Sequence, residues 1–268
     1  MLATRIRTAL IALPLFLGAL FYLPKPGWML FLLPWLLIGA WEWSALAQWR
    51  RVARVQYVLL TGALCAVLWI FVIIPVRVGV EMAVYLVASG FWLAVAPWWL
   101  ARGRRIQHSL ALALTGWIVL LPMWLAMVQL RAEPRVLLML MIVLWIADTA
   151  AFFCGKRWGR HKLAPSISPG KTWEGVAGAL AGTTLYYGVI SSAFPAGHAV
   201  LSGLMGLFVF WLLTALGVEG DLFESWIKRT AGVKDSGTVL PGHGGVLDRV
   251  DALTSTLPVA ALILACYA

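Results

Sequence analysis

Apolar residues run along this chain in blocks of bilayer length, separated by short polar segments. The blocks fall near 8–23, 27–48, 55–75, 80–100, 109–130, 136–153, 174–194, 198–217 and 252–268. A helix needs about 20 mostly apolar residues to cross the hydrocarbon core. The pattern therefore predicts an all-α, polytopic membrane protein of about nine transmembrane helices, the last one short. Pro14, Pro34 and Pro97 fall inside or near the ends of blocks, where bilayer helices tolerate them. Residues 1–23 place Arg5 and Arg7 before an apolar stretch, as a signal peptide does. They show no small-x-small cleavage pattern and further spans follow, so they read as an uncleaved first helix.

The basic residues test this topology. With the N-terminus in the cytoplasm, the inner segments hold Arg5 and Arg7; Arg50, Arg51 and Arg54; Arg102, Arg104 and Arg105; Lys156, Arg157, Arg160, Lys162 and Lys171; and Lys228, Arg229, Lys234 and Arg249. The outer segments hold only Lys25, Arg77, Arg131 and Arg135. This 17-to-4 split of the 21 basic residues follows the positive-inside rule, and a missed span would scramble the alternation. Composition agrees. Of 268 residues 62% are hydrophobic and 12% charged, and a soluble domain carries roughly twice that charged fraction. A soluble enzyme, a disulfide scaffold and a disordered chain are all excluded. Sixteen Trp suit interfacial aromatic belts. The net charge of +10 is then topological, or a sign of an anionic substrate, rather than a mark of nucleic acid.

The acids divide the chain. Only Glu42, Glu81 and Glu133 precede residue 148; the other eight lie within 148–251. Residues 1–130 read as a transmembrane scaffold. Residues 131–268 read as a catalytic transmembrane region with two cytoplasmic polar segments, 154–173 and 219–251. No internal repeat is visible, which weakens an inverted-repeat transporter.

In the first segment, Asp148 ends an apolar block, where a carboxylate is costly and needs a partner; a helix-packing contact would serve as well as a site. Ser168-Pro169-Gly170-Lys171-Thr172 has the look of a capped helix start, and a helix N-terminus beside a Lys can hold phosphate. Gly170-Lys171-Thr172 imitates the tail of a Walker loop, but Pro165 stands where the leading Gly belongs, so a P-loop is rejected. In the second segment, Asp221, Ser225, Lys228 and Arg229 share one face if 220–230 is helical. Loop 232–245 carries five Gly and one Pro. Asp248 and Asp251 share a face if the last helix begins there. Two such carboxylates suit Mg²⁺, which takes one or two of them plus substrate phosphates, or they simply favour a helix N-terminus. Acids for a metal, bases for phosphate and glycines for close approach together describe phosphoryl or nucleotidyl chemistry on a lipid.

The remaining candidates are weaker. His108, His161 and His198 are scattered, and His243 lies within the polar loop. Neither these nor Cys65, Cys154 and Cys266 form a zinc pattern. Glu42, beside Trp41 and Trp43, reads as an interfacial anchor with a site role open.

Ser225-x-Ile-Lys-Arg-x₄-Lys-Asp-x-Gly-x₂-Leu-Pro-x-His-Gly-Gly-Val-x-Asp-Arg-Val-Asp251 resembles the long motif of the phosphatidate cytidylyltransferases, or CDP-diacylglycerol synthases. All its fixed positions are filled across 27 residues, and Ser168-Pro-Gly-Lys-Thr-Trp-Glu-Gly175 is similar to a second element of that family. The resemblance implies that CTP and phosphatidate give CDP-diacylglycerol and diphosphate with Mg²⁺, in a multi-pass homodimer of the plasma membrane with its site facing the cytoplasm. On that reading Asp221, Asp248 and Asp251 hold metal, with Asp248 foremost, and Asp148 reaches the metal or Lys171. Lys228, Arg229 and Lys234 bind phosphate, and Arg249 does so or orients Asp248. Ser225 bonds phosphate or a carboxylate, and Asp235 positions Lys234 or joins the metal shell. Ser168, Lys171 and Thr172 meet substrate, with Glu174 as the partner of Lys171. Gly242, His243, Gly244 and Gly245 admit the nucleotide. A CTP-dependent enzyme acting on another lipid phosphate stands as an alternative, as does a transporter using Asp148, Asp221 and Asp248 at the bilayer midplane.

Overall fold

Each apolar block contains a helix in the computed structural model. It describes residues 2–73, 78–103, 106, 108–191, 199–239, 242 and 244–267, with side chains from Leu10 onward except at 72, 73, 78 and 199. His243, His198 and, from the charge count, Arg77, Arg104 and Arg105 lie outside the described residues.

The order is α1 (Leu2–Tyr22), α2 (Lys25–Leu46), α3 (Arg51–Leu68) with a π-helical turn after it, α4 (Val78–Gly90), a second π-helical turn, α5 (Ala96–Arg102), α6 (Ser109–Leu130) and α7 (Pro134–Trp158). A hairpin of β1 (Lys162–Ala164) and β2 (Ser168–Thr172) follows, then α8 (Trp173–Ile190), α9 (Gly203–Thr230) and α10 (Leu247–Tyr267). Seven helical stretches among the described residues are long and apolar enough to cross a membrane: Lys25–Leu46, Arg51–Phe71, Gly79–Arg102, Ser109–Leu130, Pro134–Trp158, Gly203–Thr230 and Leu247–Tyr267. The chain is an all-α polytopic membrane protein.

The centre is built on α6 and α10, the two most enclosed spans. Trp28 of α2 donates its indole N–H to the Met127 carbonyl of α6, 2.9 Å away. Phe223 of α9 sits among Phe91, Trp92 and Trp99 and so locks α9 to the α4–α5 helix. Helices α7 and α8 touch through small residues. A Cβ at Gly178 would strike the Cys154 side chain, and one at Gly182 would press on Ala150. Small residues four apart let membrane helices approach closely, and here they draw α8 and its preceding hairpin against α7.

Both polar segments differ from the expected loops. Residues 154–173 do not start a helix at Ser168. The backbone stays extended through Thr172, pairing Lys162 with Thr172 and Ala164 with Ser168 in an antiparallel hairpin. Thr172 is the true cap: its hydroxyl accepts the Gly175 N–H at 3.1 Å and α8 begins one residue later. Residues 219–230 are not loop but the last three turns of α9, because their charges find partners along and across the helix. That helix ends in a Schellman motif, with Gly232 at φ +76 and N–H bonds from Gly232 to Arg229 and from Val233 to Lys228. Residues 247–251 open α10, so the true loop is 231–246.

Candidate active site

The polar residues of the C-terminal half converge where β2, α7, α9 and α10 meet. Extended backbone carries Lys171 across to α9, where its Nζ lies 2.7 Å from Asp221 Oδ2 and donates to the Val218 carbonyl at 3.2 Å. Four residues along the same helix face, the Ser225 hydroxyl donates to Asp221 Oδ1 at 3.3 Å. Asp148 of α7 and Asp251 of α10 both lie within electrostatic range of Asp221 and Lys171, and Arg249 lies within range of Asp148. One carboxylate thus pairs with the Lys171 ammonium, and two more lie within electrostatic range of it. The donors are all oxygen, the chemistry of a hard cation.

A second cluster adjoins the first. Lys228, one further turn along α9 and mostly buried, donates to Glu224 Oε2 at 2.9 Å and to Asp248 Oδ1 at 2.5 Å. The other Asp248 oxygen accepts from the N–H groups of Ser236 and Gly245 at 3.0 and 2.8 Å and lies 3.0 Å from the Ser236 hydroxyl. Glu42, only 2% exposed, reaches the same loop from α2. It accepts the Val246 and Leu247 N–H groups at 3.0 and 2.9 Å, and the Ser236 hydroxyl lies 3.2 Å from it. Glycine is required where the loop passes this carboxylate: a Cβ at Gly237 or Gly245 would collide with Glu42. Buried carboxylates in an apolar bundle need such donors. Glu219 Oε1 and Glu224 Oε1 are buried without a hydrogen-bond partner among the described residues.

Several expected pairings are replaced by others. Asp248 and Asp251 do not form one pair: Asp248 turns to Lys228 and the loop, and Asp251 toward Asp221. Three residues on a helix share a face only broadly, and their neighbours separate them. In this arrangement Asp248 has four donors and would have to release one to take a metal. Glu174 is not the partner of Lys171. It instead meets the His161 ring at 2.6 Å and accepts the His161 N–H. Arg249 does not orient Asp248; it lies on an exposed part of α10, near Asp148.

The rest of the expected set is peripheral. Thr172 is a buried cap and Ser168 opens β2. Arg229 is exposed and donates to the Val233 carbonyl at 3.2 Å. Lys234 and Asp235 are exposed on the loop with Gly242, and Gly244 lies close to Asp248 and Asp235. Glu42 is a structural member of the site that its sequence position beside two Trp disguised; a lone carboxylate inside an apolar block was the available signal.

Residues 3–267 match the Cytidylyltransferase family. Among relatives of similar length, a phosphatidate cytidylyltransferase of Pseudomonas aeruginosa is 37% identical, over 98% of this chain and 97% of its own. One of Haemophilus influenzae is 32% identical over 96% of each chain. One of Staphylococcus epidermidis is 32% identical over 97% of this chain and 98% of its own.

Proposed function

Since the chain belongs to the Cytidylyltransferase family, we propose that it transfers the cytidylyl group of CTP to phosphatidate, forming CDP-diacylglycerol and releasing diphosphate. A phosphate oxygen of the lipid forms the new bond to the α-phosphorus of CTP, and the bond from that phosphorus to the β-phosphate bridging oxygen breaks. The lipid phosphomonoester has a second pKa near about 6, so it is mostly ionised at neutral pH and needs no general base. What remains is to hold two polyanions together and to neutralise charge as it shifts toward the diphosphate.

The observation that carries this reading is Lys171 held against Asp221, with Asp148 and Asp251 within electrostatic range of both. Lys171 is positioned to exchange its carboxylate partner for a nucleotide phosphate. Ser225 holds Asp221 in place. Lys228 and Asp248 fix the 231–246 loop, which carries Lys234 and the glycines toward the nucleotide. Mg²⁺ belongs to this proposal, with Asp221, Asp251 and Asp148 as the carboxylates to hold it. Among the described residues no three His, Cys, Asp or Glu side chains converge as a complete metal cage. Mg²⁺ bound by one or two carboxylates and completed by substrate phosphates and water fits that donor set. Bound there, it would offset the charge of the CTP phosphates. The three relatives named above are all called transferases, which supports this reading over ion-coupled transport. A homodimer with a cytoplasm-facing site in the plasma membrane is part of the same proposal.

The test is turnover of purified protein in detergent with phosphatidate and labelled nucleotides. CDP-diacylglycerol should form from CTP, weakly from ATP or GTP, and cease when EDTA removes divalent cations. Absence of product from folded protein with every lipid phosphate offered would overturn the proposal, and product from only a different lipid phosphate would move its acceptor.

A further inference from the structure

Three polar side chains of α4 and the turn after it are buried without a partner. Tyr85, Ser89 and Trp92 are 3%, 4% and 0% exposed. Among the described residues, the two hydroxyls and the Trp92 indole N–H make no hydrogen bond. Their spacing of four and three residues places them on one helix face. Four residues before Tyr85, Glu81 accepts from Gln129 of α6 and lies within electrostatic range of Tyr85. Comparable groups elsewhere in the bundle are satisfied. Thr61, Thr183 and Thr214 are as deeply buried, and each donates to the carbonyl four residues back. The Trp28 indole N–H reaches the Met127 carbonyl. Leaving three such donors bare in an apolar bundle would be costly.

The matching acceptors belong to the helices that α4 packs against, α6 and α10. Each carries a buried proline within it, Pro122 in α6 and Pro258 in α10. A proline has no N–H, so the carbonyl four residues before it loses its helical partner. Those carbonyls are Ile118 in α6 and Thr254 in α10. Thr254 is buried, and its own hydroxyl is committed to the Asp251 carbonyl at 2.6 Å. Carbonyls freed by proline in a membrane helix are bonded again by a neighbouring helix or by ordered water. Trp92 also stands in the π-helical turn Phe91–Val95, a local widening that concentrates at functional places.

We propose that ordered water is bound between α4, α6 and α10, joining Tyr85, Ser89 and Trp92 to the carbonyls that Pro122 and Pro258 release. The chemistry of the groups selects the occupant. One helix supplies donors and its two neighbours supply acceptors. A buried water both accepts and donates, and it makes about three hydrogen bonds to otherwise unsatisfied groups. A cation finds only the positive end of an N–H at Trp92, and a lipid chain would leave every donor bare. The N-terminal half of the chain then grips α10, the helix of Asp248 and Asp251, through solvent as well as through packing.

The experiment is X-ray radiolytic labelling of the full chain in detergent, read by mass spectrometry after a pulse of heavy-oxygen water. Radiolysis converts a bound water into a hydroxyl radical that modifies the side chain beside it. Tyr85 and Trp92 should be modified despite their burial and should take up the heavy oxygen slowly from bulk. Trp28, equally buried but bonded to Met127, is the control and should stay unmodified. Pro258→Ala returns an N–H to the Thr254 carbonyl and should reduce modification of Trp92. Tyr85→Phe and Ser89→Ala should each lower the thermal midpoint by about 2–4 °C, because each takes a partner from the water. A raised midpoint in both variants would overturn the proposal, since removing a dry, unbonded hydroxyl relieves a cost. Tyr85 and Trp92 as unmodified as Trp28 would also overturn it. Neither readout depends on the transferase reading.

Discussion

Glu42 on the second helix and Asp248 on the last are joined through one hydroxyl: Ser236 Oγ lies 3.2 Å from the first carboxylate and 3.0 Å from the second. A hydroxyl has a single proton, so it serves one carboxylate at a time, and backbone N–H groups supply the rest. The N-terminal half of the chain thus reaches 194 residues along the sequence to organise the loop before α10.

Glu42→Gln keeps the size of the side chain but removes its charge and turns an amide toward the Val246 and Leu247 N–H groups. Each hydrogen bond to a charged acceptor is worth about 1.5–3 kcal/mol. We expect the variant to lower the thermal midpoint in detergent and expose the 231–246 loop to protease, with turnover reduced at least about tenfold. Unchanged proteolysis and turnover would show that the strap carries no weight.

Lys171 and Asp221 should behave as a unit. Lys171→Met and Asp221→Asn should each reduce turnover by about 100-fold or more, the scale of a lost charge contact in phosphoryl-type chemistry. The double variant should be little worse than the poorer single one. Full additivity of the two losses, read from kcat/KM of all four proteins, would separate their roles.

Asp248→Asn removes the charge that Lys228 faces and weakens the acceptor for Gly245 and Ser236. Breaking a buried pair by removing one partner costs about 3–5 kcal/mol. The variant should still insert in the membrane but lose activity and unfold at a lower temperature. Adding Lys228→Met should restore part of the stability and none of the activity. Near-normal turnover of Asp248→Asn would sink this assignment.

The contact between α7 and α8 offers a test outside the site. Gly178→Val forces a side chain into Cys154 and should cost about 1–3 kcal/mol by overpacking, seen as a lower thermal midpoint. Because α8 follows the hairpin that carries Lys171, activity should fall with it. Val189→Ala, on the exposed side of α8, should change neither. A Gly178→Val protein as stable as the parent would mean that the two helices can separate without cost.

The chain itself determined that its apolar blocks fold as helices, because a long apolar block has no stable alternative in hydrocarbon, where every backbone group must be bonded internally. Which of the nine blocks are long enough to cross was not settled by the pattern, and seven helical stretches among the described residues are. Glycine-rich spacing, clustered acids and the Ser225–Asp251 motif also located the polar half of the molecule without any contact being known. The pairing of those charges lay beyond sequence reading. Asp248 and Asp251, three residues apart, part company because Lys228 draws one and the Asp221 cluster stands by the other. Lys171 meets Asp221 rather than Glu174 because extended backbone, not a helix, carries it to α9. The role of Glu42 was hidden for the same reason. Its partners are about 200 residues away, and a carboxylate buried among apolar side chains takes its function from whichever donors the folded chain brings to it.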